Sequence, residues 1–432
     1  MDALTDTDPG RRLRANAHHL YFDVLWYAVL AGSSIAFLGI YAARLGASEL
    51  QVGLLTAGPA VVNLLISLPA GRWLEGKAMV RSVLWTAIAH RAAYAVLLVL
   101  PILLPAARQV HALVVLSALM SVPGTVLAIA FNALLADLVP PDLRAHVVGR
   151  RNALLAVALS GTSIVCGLLL DQIGFPHNYQ VVFALGFLGA ALSSYHLGRL
   201  QSPLAKSAAP SGARPMGDAA RPGLVPAGDA VRPFLGLRLL TRRRGRSLIR
   251  PDILRGRFGG LLGAYLVFYS VQYLPIPLFP LFWVDSLALS DGAISIGNAL
   301  FYVGMLLASL FVRRLADRHG HHRMLAVSAM FYGAYPLLNG LGYGAEMLWV
   351  ASAVGGWVTG FLSAGLLNRL MERVPVDDRP AHMALHNLVL NLGILTGSLL
   401  GPALAQAVGL RTALLVDAGL RFLAGGLFWL LG

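Results

Sequence analysis

Long apolar runs are the feature that most limits how this chain can fold. Twelve runs are each about 20 residues long, which is the length of helix that crosses the hydrocarbon core of a bilayer. Only 12% of the residues are charged, whereas a soluble globular domain carries about 25%. Because a segment inside a bilayer must satisfy its own backbone hydrogen bonds, we predict an all-α integral membrane protein. The predicted spans 1 to 12 lie near residues 20–42, 49–71, 79–101, 110–135, 150–173, 179–199, 258–284, 291–312, 322–343, 346–370, 382–408 and 411–431.

The basic residues lie mainly on one side of these predicted spans. The net charge of +14 would favour nucleic-acid binding in a soluble protein. Here 29 of the 34 Lys and Arg residues fall in the N-terminal segment, in the loops after spans 2, 4, 8 and 10, and in the stretch 199–257. Positively charged loops stay cytoplasmic. We therefore expect a multi-pass cell-membrane protein with both termini cytoplasmic, in contact with an anionic inner leaflet and with no nucleic-acid partner.

A hydrophilic segment occurs twice. "VPPDLRAHVVGRRN" occupies residues 139–152 and "VPVDDRPAHMALHN" occupies residues 374–387, each between two apolar runs. Asp142 matches Asp377, and Arg144 matches Arg379. Six spans precede the central stretch and six follow it, so the repeat indicates an internal duplication. We predict an N-terminal six-helix half at 1–199, a basic cytoplasmic linker at 200–257 and a C-terminal six-helix half at 258–432.

A second motif lies in the loop between spans 8 and 9, where "RRLADRHGHHRML" occupies residues 313–325. It resembles the loop motif G-x-L-A-D-R-x-G-R/K-R/K-x-x-L of the major facilitator superfamily. The matching residues are Leu315, Ala316, Asp317, Arg318, Gly320 and Leu325. Arg313 replaces the first glycine, and two histidines replace the basic pair. The equivalent loop after span 2, "GRWLEGKAMVR", offers Glu75 for the aspartate. With the duplication, the resemblance covers nearly the whole chain.

This resemblance implies two pseudo-symmetric six-helix halves and transport by alternating access. It also implies a cytoplasmic gate, in which acids at helix ends pair with arginines of neighbouring helices. The predicted gate residues are Glu75, Asp142, Arg144, Asp317, Arg318, Gly320, Asp377 and Arg379. The alternative is that these charges only cap helices and fix the topology.

In this family spans 1, 4, 7 and 10 line the central cavity, so polar residues on these spans are the candidates for substrate contact. They are Asp23, Tyr27, Ser34, Ser121, Asn132, Tyr265, Tyr269, Gln272, Ser352 and Thr359. Small hydroxyl residues at such spacing also serve helix packing. Acids inside membrane spans are rare and usually mark proton or substrate paths, so Asp23 is the candidate for proton coupling. The alternative for Asp23 is a solvated residue at the start of its helix.

Three other polar positions compete with these candidates. His90 and Arg91 lie in the middle of span 3, where Arg91 could pair with Asp23. Asp417 and Arg421 stand four residues apart in span 12, which favours a structural ion pair. Span 11 carries His386, Asn387 and Asn391 before a glycine-rich run.

The sequence thus favours a secondary active transporter, acting as a monomer, that exports a small amphipathic organic molecule with proton coupling. Uptake of a sugar-like or other small metabolite is the alternative within this class, and a non-transporting scramblase or assembly partner is the alternative outside it. "GRWLEGKA" at 71–78 nearly matches a phosphate-binding loop, but alanine replaces the magnesium-binding hydroxyl residue. We therefore expect no nucleotide cofactor. Since the sequence shows no metal-ligand spacing and no nucleophile–base arrangement, we also expect no metal site and no enzymatic activity.

Overall fold

The structure is a computed structural model that describes residues 8–201, 253–254, 257–375 and 379–431. All regular structure within these ranges is helical. Most of the predicted linker at 200–257 lies outside the described residues, and so does Asp377, while the side chain of Arg379 is not described.

Twelve membrane spans run through the described residues. Eleven helices are long and apolar enough to cross a membrane, and the one at Asp291–Leu341 contains both span 8 and span 9. Every predicted span coincides with one of these helices or, for spans 8 and 9, with half of one. The helical bounds are Gly10–Arg44, Glu49–Leu74, Met79–Leu103, Ala106–Leu138, Asp142–Gln172, His177–Gly198, Phe258–Ser286, Asp291–Leu341, Ala345–Arg373, Ala381–Val408 and Leu410–Leu431.

The turn between spans 8 and 9 depends on one glycine. Gly320 has φ 78°, while the residues on both sides of it are helical. An L-residue with a side chain is strained at positive φ, and glycine is not. Gly320 therefore reverses the chain direction without a loop, which is why the two spans read as one long helix.

Two spans are irregular. Span 1 consists of the α-helix Asp8–Leu30, the π-helical segment Ala31–Ile35 and the α-helix Ala36–Arg44. Span 7 ends its first helix at Tyr273 and resumes at Leu278–Leu281, because prolines at 275 and 277 cannot donate backbone hydrogen bonds. π segments and prolines commonly bend helices, and π segments often occur at functional sites.

The helix ends define two faces of the molecule. The basic face holds the ends near residues 8–20, 72–81, 137–144, 198–201, 313–323 and 369–375. The opposite face holds the connections near residues 45–48, 104–105, 173–176, 287–290, 342–344 and 409. Both ends of the described chain, Asp8 and Leu431, lie at the basic face because the number of spans is even.

The two six-helix halves meet along spans 2 and 11 and along spans 5 and 8. Gly53 of span 2 lies against the backbone oxygen of Ser398 and the ring of Pro402 in span 11. Gly167 of span 5 lies directly against Ser295 of span 8. Close approach of this kind requires small residues, as is usual where membrane helices pack without a hydrophobic driving force.

The outer surface of the bundle is apolar. Large aliphatic side chains remain strongly exposed on several spans, for example Ile102 and Leu103 on span 3 and Leu310 on span 8. A water-soluble monomer rarely exposes such a continuous apolar surface. This surface fits the acyl chains of a bilayer, so the polar residues that concern function are those inside the bundle.

Candidate functional site

A cavity of about 440 Å³ lies between the two halves. Spans 1 to 4 of the first half and spans 7 and 11 of the second half form most of its wall, and span 6 contributes Leu197. The polar members of the wall are Asp23, Tyr27, Thr56, Asn63, Ser67, His90, Arg91, Tyr94, Ser117, Ser121, Thr125, Tyr273, Asn387 and Asn391. The other lining residues are aliphatic, proline, glycine and Phe131. Asp23 is the one acid among the lining residues and Arg91 is the one arginine.

Asp23 is the centre of an ion-pair cluster inside the first half. Its Oδ2 lies 3.0 Å from Nη2 of Arg151 in span 5, and its Oδ1 lies 3.7 Å from Nη2 of Arg91 in span 3. Ser193 of span 6 donates a hydrogen bond of 2.6 Å to Oδ1. Asp23 is 4% exposed and sits about four turns inside the helix Asp8–Leu30. The alternative of a solvated residue at the helix start is therefore wrong.

The two arginines of this cluster are held by further contacts. Arg91 Nη1 donates to the hydroxyl of Ser194 at 2.9 Å. Arg151 Nε donates to the backbone oxygen of Leu20 at 3.2 Å, and its guanidinium lies 4.7 Å from the centre of the Phe131 ring. The cluster thus joins spans 1, 3, 5 and 6. Its geometry combines charge-assisted hydrogen bonds with a cation–π contact, both of which are strong where water is excluded.

Sequence reasoning missed Arg151, because it was counted among the basic residues of the loop after span 4. The helix Pro141–Gln172 begins ten residues before Arg151, and the Arg151 side chain is 8% exposed. A signal was present in the sequence. Arg151 falls inside the predicted apolar run at 150–173, where a basic residue requires a partner.

The other polar groups of the cavity wall include amides, hydroxyls and an imidazole. Thr125 donates to the side-chain oxygen of Asn63, which connects spans 4 and 2. His90 Nδ1 lies 2.8 Å from the backbone oxygen of Met120. Ser121 donates to the backbone oxygen of Ser117 in its own helix at 2.6 Å. These bonds fix the orientation of the polar side chains around the cavity, and sequence reasoning did not single out Asn63 or Thr125.

The structure brings three of the predicted cavity residues, Asp23, Tyr27 and Ser121, to the cavity wall. Seven others are not among its lining residues: Ser34, Asn132, Tyr265, Tyr269, Gln272, Ser352 and Thr359. Tyr265 donates to the backbone oxygen of Leu366 at 2.6 Å, and the Tyr269 hydroxyl lies 3.0 Å from His386 Nε2. Thr359 donates to the backbone oxygen of Gly355 at 2.6 Å. The bonds of Tyr265 and Tyr269 join neighbouring helices of the second half, whereas the bond of Thr359 lies within its own helix.

The predicted gate residues lie at the basic face. Glu75, Asp142, Asp317 and Arg318 are exposed. Asp317 pairs with Arg313 of its own helix at 3.7 Å, and both side chains are more than 70% exposed. Arg144 donates to the backbone oxygens of Ala136 and Val139 and so caps the end of span 4. Among the predicted gate residues whose side chains the structure describes, none forms a bond with the other half.

The opposite face, in contrast, joins the two halves through charged groups. Arg44 at the end of span 1 lies 3.1 Å from the carboxylate of Asp291 at the start of span 8, and it donates to the backbone oxygen of Leu289 at 2.6 Å. Asp171 at the end of span 5 accepts hydrogen bonds from the backbone N–H of Gly292 and from Ser290, both at 3.0 Å. We refer to Arg44, Asp171 and Asp291 as the opposite-face latch. Sequence reasoning missed it, although Arg44 is one of few basic residues on that side.

A second buried ion pair supports the break in span 7. Arg421 Nε lies 2.7 Å from Asp417, and both side chains are fully buried. Arg421 Nη2 donates to the backbone oxygen of Gln272 at 2.8 Å, next to the point where span 7 loses its helical bonds. The pair predicted from the four-residue spacing is therefore present, and it links span 12 to span 7.

Comparison with known families gives a match over most of the chain. The Major Facilitator Superfamily model matches residues 25–256 and 261–432. Multidrug resistance protein 1 of Bacillus subtilis is 25% identical over 146 residues, which are 34% of this chain and 37% of that protein. The multi-drug resistance efflux pump PmrA homolog of Lactococcus lactis is 23% identical over 290 residues, 66% of this chain and 62% of that protein. The aligned regions therefore span less than two thirds of the length of these curated relatives.

Solved structures show the same fold. The nucleoside transporter NupG superposes with a TM-score of 0.65 and 13% identity, over 96% of this chain and 98% of that one. The human organic anion transporter MFSD10 superposes with a TM-score of 0.58 and 16% identity, over 98% of this chain and all of that one. At such low identity the likeness establishes the arrangement of twelve helices in two halves.

Proposed function

We propose that this chain, which belongs to the major facilitator superfamily, is a secondary active transporter that exports a small amphipathic organic molecule across the cell membrane. The observation that carries the proposal is the cavity of about 440 Å³ between the two halves. Its volume lies in the range of small-molecule sites, and its wall combines apolar surface with a few oriented polar groups. One curated relative is named a multi-drug resistance efflux pump, which supports export as the direction.

Alternating access provides the mechanism. The opposite-face latch joins the halves at one end of the cavity, whereas the predicted gate side chains that the structure describes form no bond between the halves at the other end. We assign the basic face to the cytoplasm because positively charged segments stay inside. In that orientation the structure corresponds to the state closed to the outside, and transport requires the latch to open while the basic face closes. The cavity lies within one chain, which supports function as a monomer in the bilayer.

Asp23 is the residue we propose for proton coupling. It is the one acid among the lining residues, and acids at membrane depth mark proton paths. A proton on Asp23 would remove the negative partner of Arg91 and Arg151 together, and so would change the charge of the cavity wall. Uptake by the same mechanism is the second candidate, since the amides of Asn63, Asn387 and Asn391 would also hydrogen-bond a polar metabolite.

Transport of a quinolone in membrane vesicles tests this proposal. Inverted vesicles containing the full chain should accumulate norfloxacin when respiration acidifies their interior, whereas right-side-out vesicles should not accumulate it. The control is a double variant with cysteines at positions 44 and 291 in a Cys166→Ser background. Linking these two cysteines with a bifunctional maleimide should stop accumulation, while the unlinked variant should still transport. Equal norfloxacin levels in vesicles with and without the protein, or in linked and unlinked variants, would overturn export by alternating access.

A further inference from the structure

We propose that Arg91 binds an anionic group of the substrate, so that the transported molecule is an organic anion or a zwitterion and not a lipophilic cation. This inference rests on the proposed function, because it takes the cavity between the halves as the substrate site. It adds the chemical class of the substrate, which the shape of the cavity alone does not give.

The first argument is the depth of Arg91. It is the thirteenth residue of the helix Met79–Leu103, so either end lies about 18 Å away at 1.5 Å per residue. An arginine near a helix end can extend its charged group to the membrane surface, but one in the middle of a span cannot. Arg91 is 5% exposed and lines the cavity. A guanidinium at this depth is costly to maintain, and its position in the cavity wall also places it within reach of a transported molecule.

The second argument is the charge of the cluster. Its ion pairs connect one carboxylate, Asp23, with two guanidiniums, so the formal sum of the three side chains is +1. Asp23 lies 3.0 Å from Arg151 but 3.7 Å from Arg91. Because 3.7 Å is longer than a charge-assisted hydrogen bond, Arg91 is the more weakly held of the two arginines that pair with Asp23. An anionic group in the cavity could compete with Asp23 for Arg91 while Asp23 keeps its bonds to Arg151 and Ser193.

The third argument is the chemistry of the surrounding wall. A guanidinium presents parallel N–H groups that match a carboxylate in a bidentate geometry. The same cavity offers the amide of Asn63 and the hydroxyls of Ser121 and Tyr27 for a neighbouring polar group, and aliphatic residues for an apolar body. A cationic ligand would have to approach a cluster with an excess of positive charge. The wall thus selects against lipophilic cations and favours an aromatic or aliphatic acid.

Three probes of matched shape and different charge test the proposal. They are 1-naphthoate, the neutral 1-naphthamide and the cationic 1-naphthylmethylammonium, and their binding to the purified full chain is measured by isothermal titration. We expect naphthoate to bind more tightly than naphthamide by on the order of tenfold, as for one charge-assisted contact. Naphthylmethylammonium should bind most weakly. Binding of the cation as tight as that of naphthoate, or no binding of naphthoate at millimolar concentration, would overturn the proposal.

Substitutions at the same position separate charge from packing. Arg91→Gln should abolish the preference for naphthoate over naphthamide, and Arg91→Lys should keep a reduced preference because the charge remains. Ser194→Ala removes a hydrogen bond of Arg91 but not its charge, and should keep the preference. If Arg91→Gln does not fold, the order of the three probe affinities in the unaltered chain and in Arg91→Lys still tests the proposal. An unchanged preference in a folded Arg91→Gln protein would contradict the role of Arg91.

The outcome is separable from that of the transport test. Norfloxacin carries both a carboxylate and an amine, and its movement in vesicles reports on transport as such. Transport of norfloxacin with no charge preference among the naphthalene probes would retain the proposed function and refute the anion site. A charge preference that depends on Arg91, without gradient-driven transport, would establish the anion site and refute export.

Discussion

Asp23 carries the ion pairs that join four spans of the first half. Two guanidiniums and one hydroxyl meet its two oxygens, and each partner comes from a different span. Removing one member of a buried ion pair usually costs far more than the pair contributes, since the remaining charge is left uncompensated. The same carboxylate therefore has a structural role and the proposed coupling role, and an experiment must separate the two.

The variant Asp23→Asn tests this residue. Without the carboxylate, Arg91 and Arg151 lose their shared anion, so we expect the free energy of unfolding to fall by about 3–5 kcal/mol. If Asp23 couples transport to protons, the folded variant should lose gradient-driven accumulation of norfloxacin but retain exchange of norfloxacin between the two sides. Glu75→Gln, at an exposed position on the basic face, is the control and should leave stability within the assay error. Accumulation at the unaltered rate in Asp23→Asn would exclude Asp23 as the coupling residue.

At the scale of single elements, span 7 depends on span 12. Arg421 occupies the position where a proline-rich break leaves the backbone oxygen of Gln272 without its helical donor. Asp417 balances the charge of Arg421 within the same helix turn. Unwound backbone inside a membrane persists only where protein groups satisfy it. The pair therefore stabilises the broken geometry of span 7, which forms part of the cavity wall.

A double-substitution cycle tests this dependence. Arg421→Met alone should destabilise the protein by about 3–5 kcal/mol, because the carboxyl group of Asp417 is left buried without its partner. Asp417→Leu combined with Arg421→Met should recover much of the loss in unfolding free energy, as apolar side chains of similar size often replace a buried pair at little cost. Denaturation by increasing proportions of a denaturing detergent gives the unfolding free energies of the single and the double variant. Equal losses in the single and double variants would show that the bond to Gln272, and not charge balance, determines stability.

The positions of the membrane helices could be predicted from this sequence more fully than the residues that each helix turns toward the cavity. Hydropathy locates spans because the thickness of the bilayer fixes helix length. The residues that line the cavity could not be predicted along the whole of span 1 from helical periodicity alone. Asp23 and Tyr27 line the cavity, but the π-helical segment Ala31–Ile35 changes the angular position of later residues. Ser34 is consequently buried against Gly186 of span 6, and Tyr41 donates to Gln109 of span 4 at 2.5 Å.

The residues missing from the prediction are those whose partners lie far along the chain. Arg151 is 128 positions from Asp23, and Arg44 is 247 positions from Asp291. No local pattern identifies such a pair, because either residue alone resembles an ordinary charge at a helix end. The motif at 313–325 could be recognised and its acid was expected to gate, but in this state the ion pair that Asp317 forms among the described residues is with Arg313 of its own helix. A sequence motif does not indicate the conformation in which its residues meet.

At the scale of the whole molecule, the opposite-face latch determines which side of the cavity is closed. It buries Asp291 beside Arg44 and uses Asp171 to cap the first turn of span 8. We expect Arg44→Gln to shift the population toward the state that is open on this face, because it removes the charge-assisted bonds to Asp291 and Leu289. Spin labels at positions 106 and 343, on a Cys166→Ser background, report the distance between the halves on this face. Arg108→Gln is the control, since Arg108 is an exposed arginine on the same face.

In this comparison, the Arg44→Gln variant should give a larger share of long distances between the labels, and Arg108→Gln should match the unaltered chain. Identical distance distributions in all three proteins would show that the helix contacts, such as Gly167 against Ser295, hold this face closed without the latch. The measurement thus distinguishes electrostatic from steric closure.

The two faces must be coupled if the halves move as rigid bodies. Within the part of the chain that the structure describes, Asp317 forms an exposed pair with Arg313, and such pairs contribute about 0–1 kcal/mol. Asp317→Asn should therefore cost the present state little. If Asp317 instead bonds across the basic face when the cavity opens outward, Asp317→Asn weakens that alternative state and should shorten the distances between labels 106 and 343. This change in distance is opposite in sign to that expected for Arg44→Gln. The free-energy effects of distant substitutions usually add. Arg44→Gln combined with Asp317→Asn should therefore return the distribution of label distances toward that of the unaltered chain. A double variant identical to Arg44→Gln alone would show that Asp317 does not contribute to closure of the basic face.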